Sequence, residues 1–313
     1  MKYGNTSFID HLKAIEKSNI SKKNIGIKKE FPENIFDLGN KIIYGPPGIG
    51  KYSLMLKNIS KYSPTCMKYE RKMIIESNKK SFLIKISDIH YEVDMGILGC
   101  NAKIIWGTIY KNILDIIATK QNLIGIIVCK NFHSIHGELL ENFYSYMQSI
   151  FYKNMKVVYI LLTENVCFIP YNIINNANIV SCQRPTKREY MQCLKKKINT
   201  KLRDIKNIKN LIYNPEIVAF NKKKCDKIIQ LFNDTADETF FMTLRESLYD
   251  LLIYNLNIED CIWYILNYYI KHKKIKNMDG ILTKLGEFLK LYNNNYRPIY
   301  HLEGFFLYLY KSL

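Results

Sequence analysis

An α/β domain built on a parallel sheet and followed by two helical modules is the fold class this sequence predicts. Three observations carry it. Short apolar runs of strand length alternate with stretches of 3.6-residue apolar spacing between residues 36 and 184. A glycine-rich turn joins the first such run to the first such helix. Beyond Arg184-Pro185 the strand pattern fades, and the remainder alternates aromatic and aliphatic positions at helical spacing with few glycines or prolines.

The elements follow in chain order. Residues 8–15 form an amphipathic stretch, and a Lys-, Asn- and Ser-rich connector spans 18–30. Lys41-Ile42-Ile43-Tyr44 is a strand-like run that ends in Gly45-Pro46-Pro47-Gly48-Ile49-Gly50-Lys51. Residues 53–62 then place Leu54, Leu56, Ile59 and Tyr62 at helical spacing. Further strand runs lie at 81–86, 124–129 and 157–163, with helical patterns at 104–118 and 138–151. Strands alternating with helices require crossover connections, which is the grammar of a parallel sheet covered on both faces. The expected organisation is an N-terminal helical and linker segment over 1–35 and the nucleotide-binding type of domain over 36–184. A small helical module over 185–235 and a helical C-terminal domain over 236–313 complete it.

Composition narrows the function classes. Hydrophobic residues make up 48% of the 313-residue chain and charged residues 24%, the balance of a globular protein rather than a disordered or fibrous one. Lys and Arg number 46 against 28 Asp and Glu, a formal charge of +18. That excess fits a nucleic-acid or acidic protein partner, or a basic surface kept for solubility. Basic stretches recur at 21–29, 68–80, 187–209 and 222–227, each by itself a plausible solvated helix face. The eight cysteines (Cys66, Cys100, Cys129, Cys167, Cys182, Cys193, Cys225 and Cys261) form no CxxC pair, which points to reduced thiols in an intracellular, reducing compartment. No apolar run approaches ~18 residues and no cleavable leader is read, so no membrane role is expected.

Gly45 to Lys51 fits the phosphate-loop pattern GxxxxGK between a strand and a helix. Its glycines let successive backbone N–H groups turn inward toward phosphates, the helix N-terminus adds a favourable dipole, and Lys51 reaches the terminal phosphates. The next position calls for a Ser or Thr hydroxyl to ligate Mg2+ but holds Tyr52, and Ser53 lies ~100° further round the helix. A second strand in such folds ends in paired carboxylates that organise the metal and the attacking water. Here the run Ile124-Gly125-Ile126-Ile127-Val128 leads into Cys129-Lys130-Asn131-Phe132-His133, without a carboxylate. Asp88 is open to two readings, helping a metal or capping a turn. His133 and His136 read as a metal pair or as turn and helix-start residues. Trp263, Tyr264, Tyr268 and Tyr269 read as stacking platforms or, at their helical spacing, as core or a subunit collar.

The phrase from Tyr44 to Lys51, the segment His90-Tyr91-Glu92-Val93-Asp94 and the run Leu248-Tyr249-Asp250-Leu251-Leu252-Ile253 together resemble a small subunit of the AAA+ clamp loader replication factor C. Residues 127–148, and Thr163-Glu164-Asn165 through Arg184-Pro185, are closer to the divergent clamp-loader-like ATPases encoded by large DNA viruses. The resemblance covers about residues 36–313 and is strongest over 40–185. It implies an AAA+ P-loop domain with a helical lid and an all-helical C-terminal collar. It also implies a hetero-oligomeric ring with other clamp-loader subunits, a sliding clamp and primed DNA as partners, and ATP or ADP as ligand. A nuclear or cytoplasmic replication site follows from that role.

In that family Asn165 matches the polar sensor of the terminal phosphate, following the strand at 157–162. The Ser-Arg-Cys triplet that carries the Arg finger is matched by Asn175-Asn176-Ala177, which has no guanidinium, and Arg245 is the weak counterpart of the lid arginine. The expected nucleotide-binding set is Gly45, Pro46, Pro47, Gly48, Ile49, Gly50, Lys51, Tyr52, Ser53 and Asn165, with no catalytic residue and no metal ligand. The magnesium hydroxyl, the acidic pair and the finger all serve hydrolysis, and an Arg finger alone is worth ~10³ to 10⁵ in rate. Three readings stand: a nucleotide-binding clamp-loader subunit with weak or no hydrolysis, an AAA+ pseudoenzyme scaffold without DNA, and an active ATPase with a rewired site.

Overall fold

A computed structural model describes residues 7–17, 30–77, 80–148, 155–194, 197–198, 205, 215–233, 239–254, 256–275, 277–292 and 297–313. It divides into two compact units, Met1–Lys209 and Asn210–Leu313.

The first unit holds α1 (Phe8–Lys17), β1 (Lys41–Tyr44), α2 (Lys51–Ile59), β2 (Arg71–Ser77), β3 (Lys80–Ile86), β4 (His90–Asp94) and α3 (Ala102–Ala118). It continues with β5 (Ile124–Lys130), α4 (Gly137–Gln148), β6 (Lys156–Thr163), α5 (Tyr171–Asn175), β7 (Asn178–Ser181) and α6 (Lys187–Leu194). The sheet order is β2-β3-β4-β5-β6-β1-β7. β4, β5, β6, β1 and β7 run parallel, while β2 and β3 form an antiparallel extension on β4.

Side chains of a strand alternate between faces, so a sheet covered on both sides needs apolar residues at both parities. The central strands obey this. Ile42, Ile127, Cys129, Val157, Tyr159 and Leu161 face one core with Trp106, Ile109 and Ile113 of α3 and Phe143 of α4. Ile43, Ile126, Val128, Val158, Ile160 and Leu162 face the other with Leu54, Met55, Leu56 and Ile59 of α2 and Phe8 of α1. Phe8 is buried, and its amide donates to Glu70 Oε2 at 2.8 Å. The N-terminal amphipathic stretch therefore packs as a wall of the sheet domain.

The second unit contains α7 (Pro215–Asn233), α8 (Phe240–Ile253), α9 (Ile258–Lys271), α10 (Met278–Tyr292) and α11 (Pro298–Ser312). Their core includes Ile228, Leu248, Ile265, Leu285 and Phe306. Asn257 caps α9 by accepting from the Asp260 amide at 3.1 Å. Tyr269 is fully packed, Tyr264 and Tyr268 lie against the core, and Trp263 is 44% exposed. Among the described residues no helix is long and apolar enough to cross a membrane.

Some local expectations need correction. Residues 68–80 contain β2 rather than a solvated helix face; Lys72 and Ile74 turn outward while Ile75 on the opposite parity is buried. The short β7 escaped periodicity because four residues with one buried position give no pattern. The helix expected over 53–62 begins at Lys51 and closes in a 3₁₀ turn, Ser60–Tyr62. Basic residues 21–29, most of 195–209 and helix positions 149–151 lie outside the described residues.

Candidate functional site

The turn between β1 and α2 builds a cradle. Gly48 and Gly50 have φ of 72° and 91°, the left-handed region where a side chain is strained, and they aim the intervening backbone toward the start of α2. Gly45 is required for a different reason: a Cβ there would stand 2.4 Å from the Cys182 carbonyl oxygen, just past β7. Ile49 is buried in the core beneath the turn and anchors it, while Pro47 is exposed at its tip. Lys51 Nζ donates to the carbonyls of Gly45 at 2.5 Å and Pro46 at 2.9 Å, so the ammonium is held over the loop. Burial lowers the Lys51 pKa, opposed by the nearby Glu164 carboxylate.

Strand parity assembles the second half of the site. His90 and Glu92 of β4 pair in register with Ile126 and Val128 of β5, and Lys130 follows with the same parity. All three therefore point to the face that α1 and α2 cover. Glu92 is 2% exposed and accepts from the Tyr52 hydroxyl at 2.6 Å; Lys130 Nζ donates to its other oxygen at 3.2 Å. His90 Nε2 stands 3.3 Å from Glu92 Oε1, and Ser87 bonds the other ring nitrogen. Burial alone would raise the Glu92 pKa, but the His90 hydrogen bond, the Lys130 and His90 charges and the Tyr52 hydroxyl together lower it to about 2. Tyr52 moves the opposite way, its pKa pushed far up by burial and by the Glu92 charge.

Around this carboxylate the candidate metal-ligand side chains are engaged elsewhere. Tyr52 turns its phenol to Glu92, and Ser53 Oγ lies 3.0 Å from His11 Nε2 of α1, whose ring packs edge-on against Tyr52. Asn131 donates to both oxygens of Asp94 at 3.0 Å. The end of β5 carries an ammonium and an amide where P-loop hydrolases place carboxylates. Among the described residues no three His, Cys, Asp or Glu side chains are grouped to hold a metal. The residues present fit phosphates at the loop and do not fit Mg2+.

Asn165 follows β6, whose Thr163 is in register with Tyr44 at the edge of the loop. It is exposed and lines an open cleft of about 370 Å³ with Tyr44, Glu164, Val166, Cys167 and Ile179. Its own carbonyl accepts from the Thr163 hydroxyl at 2.6 Å. The other candidates fall elsewhere. Asp88 is a turn anchor, accepting from Ser63, from the Thr65 hydroxyl and from the Thr65 amide. His133 sits in a 3₁₀ turn, and the His136 carbonyl accepts the first amides of α4. Arg245 belongs to the second unit, where it forms a two-pronged pair with Glu303 at 2.5 and 3.1 Å. Asn175-Asn176-Ala177 closes α5 ahead of β7.

Glu92 and His11 were missed as site residues by sequence reasoning. A carboxylate flanked by Tyr91 and Val93 in β4 was the available signal for Glu92. Nothing local marks His11, because its role depends on where α1 docks.

No family model and no curated protein matches this chain. Among solved structures it is similar to replication initiator DnaA bound to AMPPCP and single-stranded DNA, at 12% identity over 99% of this chain and 98% of that one, TM-score 0.41. A DNA replication initiation factor is matched at 12% identity over 94% and 95%, TM-score 0.40. The Holliday junction branch migration motor RuvB of Thermotoga maritima is matched at 13% over 74% and 68%, TM-score 0.39. The mostly parallel sheet, the glycine turn leaving β1 between β6 and β7, and the helical unit that follows in the chain make this a P-loop type of α/β fold with a helical C-terminal region.

Proposed function

We propose that this chain is a nucleotide-binding AAA+ subunit of a clamp-loader assembly in DNA replication, of the replication factor C small-subunit type, that binds ATP or ADP with little or no hydrolysis of its own. One observation carries the reading: a formed phosphate cradle, Gly45 to Lys51, beside a β5 terminus whose side chains are Lys130 and Asn131. The backbone amides of the turn and the N-terminus of α2 would hold phosphate oxygens. Lys51 would exchange its two loop carbonyls for the terminal phosphates, and Asn165 would sense them from β6. No carboxylate from β5 is available to orient an attacking water, so binding is retained where cleavage is not.

The partners are inferred from the resemblance and the charge. Other clamp-loader subunits would form the ring through the collar over 236–313, with the lid over 185–235, and a sliding clamp and the backbone of primed DNA would be engaged by the assembly. The charge of +18 supports contact with phosphates rather than base edges.

Two measurements test this. Purified chain should bind ATP or ADP and show no turnover above background, and Lys51→Ala should weaken binding by about tenfold to a hundredfold, the loss of hydrogen bonds from a charged donor. Mass spectrometry of material copurifying with tagged protein should recover AAA+ subunits and a sliding clamp. Robust turnover abolished by Lys51→Ala would establish a rewired ATPase instead, and recovery of an assembly lacking both clamp and DNA would favour the scaffold reading.

A further inference from the structure

Tyr52, the residue that follows Lys51 of the phosphate cradle, leads through Glu92 to an organic cation, Lys130. Tyr52, one residue past Lys51, cannot present a small hydroxyl to a metal, because its phenol is bound to Glu92 and its ring packs on His11. Ser53 is engaged by His11. The Lys130 ammonium lies 5.8 Å from the centre of the Tyr52 ring and 3.2 Å from Glu92. Glu92 is almost fully buried, whereas 30% of the Lys130 side chain stays exposed. An ammonium carries three N–H donors, so one bond to Glu92 leaves others to turn outward. The buried carboxylate thus acts as a pedestal: it holds the cation in place, and the His90 and Tyr52 contacts on its other oxygen keep it ionised.

We infer that Lys130 replaces the divalent metal, so that the polyphosphate is held between two ammonium groups, Lys51 and Lys130, and nucleotide binding needs no Mg2+. This rests on the nucleotide-binding reading above. A bound metal would also meet direct opposition, since a divalent ion beside Lys130 is a like-charge contact in a partly desolvated site.

Titration calorimetry of the full chain with ATP, in excess EDTA and again in excess MgCl2, tests the idea without any variant. Affinities within about threefold of each other are expected. Tightening by Mg2+ of tenfold or more would overturn the inference while leaving nucleotide binding intact. Absence of ATP binding in both conditions would remove the nucleotide-binding reading itself, and this inference with it. In EDTA, Lys130→Met should lose at least tenfold in affinity and Lys130→Arg should recover most of that loss. Circular dichroism melts identify folded variants, and a folded Lys130→Met with unchanged affinity would equally overturn the role assigned to Lys130.

Discussion

Glu92 shows how one buried charge organises a site. A carboxylate without partners at this depth would neutralise rather than stay ionised. Three groups from three elements prevent that: Tyr52 from α2, Lys130 from β5 and His90 from its own strand. Its pKa is lowered from an ordinary value of 4.5 to about 2, so the ionised form is stabilised by folding. The sign follows directly: this stability is fully present above the unfolded carboxylate value and is lost as pH falls through ~4.5 toward ~2. A shift of that size corresponds to about 3 kcal/mol. Glu92→Gln is therefore expected to destabilise the sheet unit by about 2–4 kcal/mol at pH 7, since it leaves Lys130 without its counter-charge. Urea unfolding followed between pH 7 and pH 3 should show a flatter acid limb for the variant; identical pH profiles would deny Glu92 this role.

At the scale of elements, the docking of α1 against α2 gives the site its outer wall. Phe8 is 1% exposed, with its ring 4.7 Å from His90 and under the Lys85 ammonium. His11, one turn on, reaches Ser53. Apolar burial at Phe8 thus sets the polar contact at His11, because both side chains lie on one stripe of the same helix. Phe8→Ala should cost about 3–5 kcal/mol in the contacts that dock α1. Hydrogen exchange should then accelerate across residues 8–17 and at the first turn of α2. Protection that stays unchanged in α1 would mean that Phe8 is not its anchor.

Across the whole molecule, cations are in large excess over carboxylates. On the proposed clamp-loader reading, the formal charge of +18 should serve binding to primed duplex DNA that is indifferent to sequence and weakens steeply with salt. Fluorescence anisotropy with primed DNA, alone or in the copurified assembly, should show at least a tenfold loss of affinity between 50 and 200 mM salt, the range expected for several phosphate contacts. A flat response would count against contact with the backbone.

Local order in the chain was enough to specify a good part of this protein. The glycine turn, the alternating strands and helices and the aromatic helical C-terminus are legible because backbone geometry and face-by-face burial impose short periods on residue choice. Lys51 and its glycines were readable for the same reason, as was the missing acidic pair at Cys129-Lys130-Asn131. The tertiary structure alone decided what fills the gap. Glu92, Lys130, Tyr52 and His11 are spread over 120 residues, and no spacing rule connects them. They converge because β4 and β5 pair in one register and α1 lands on α2, contacts set by long-range packing rather than by any local sequence preference.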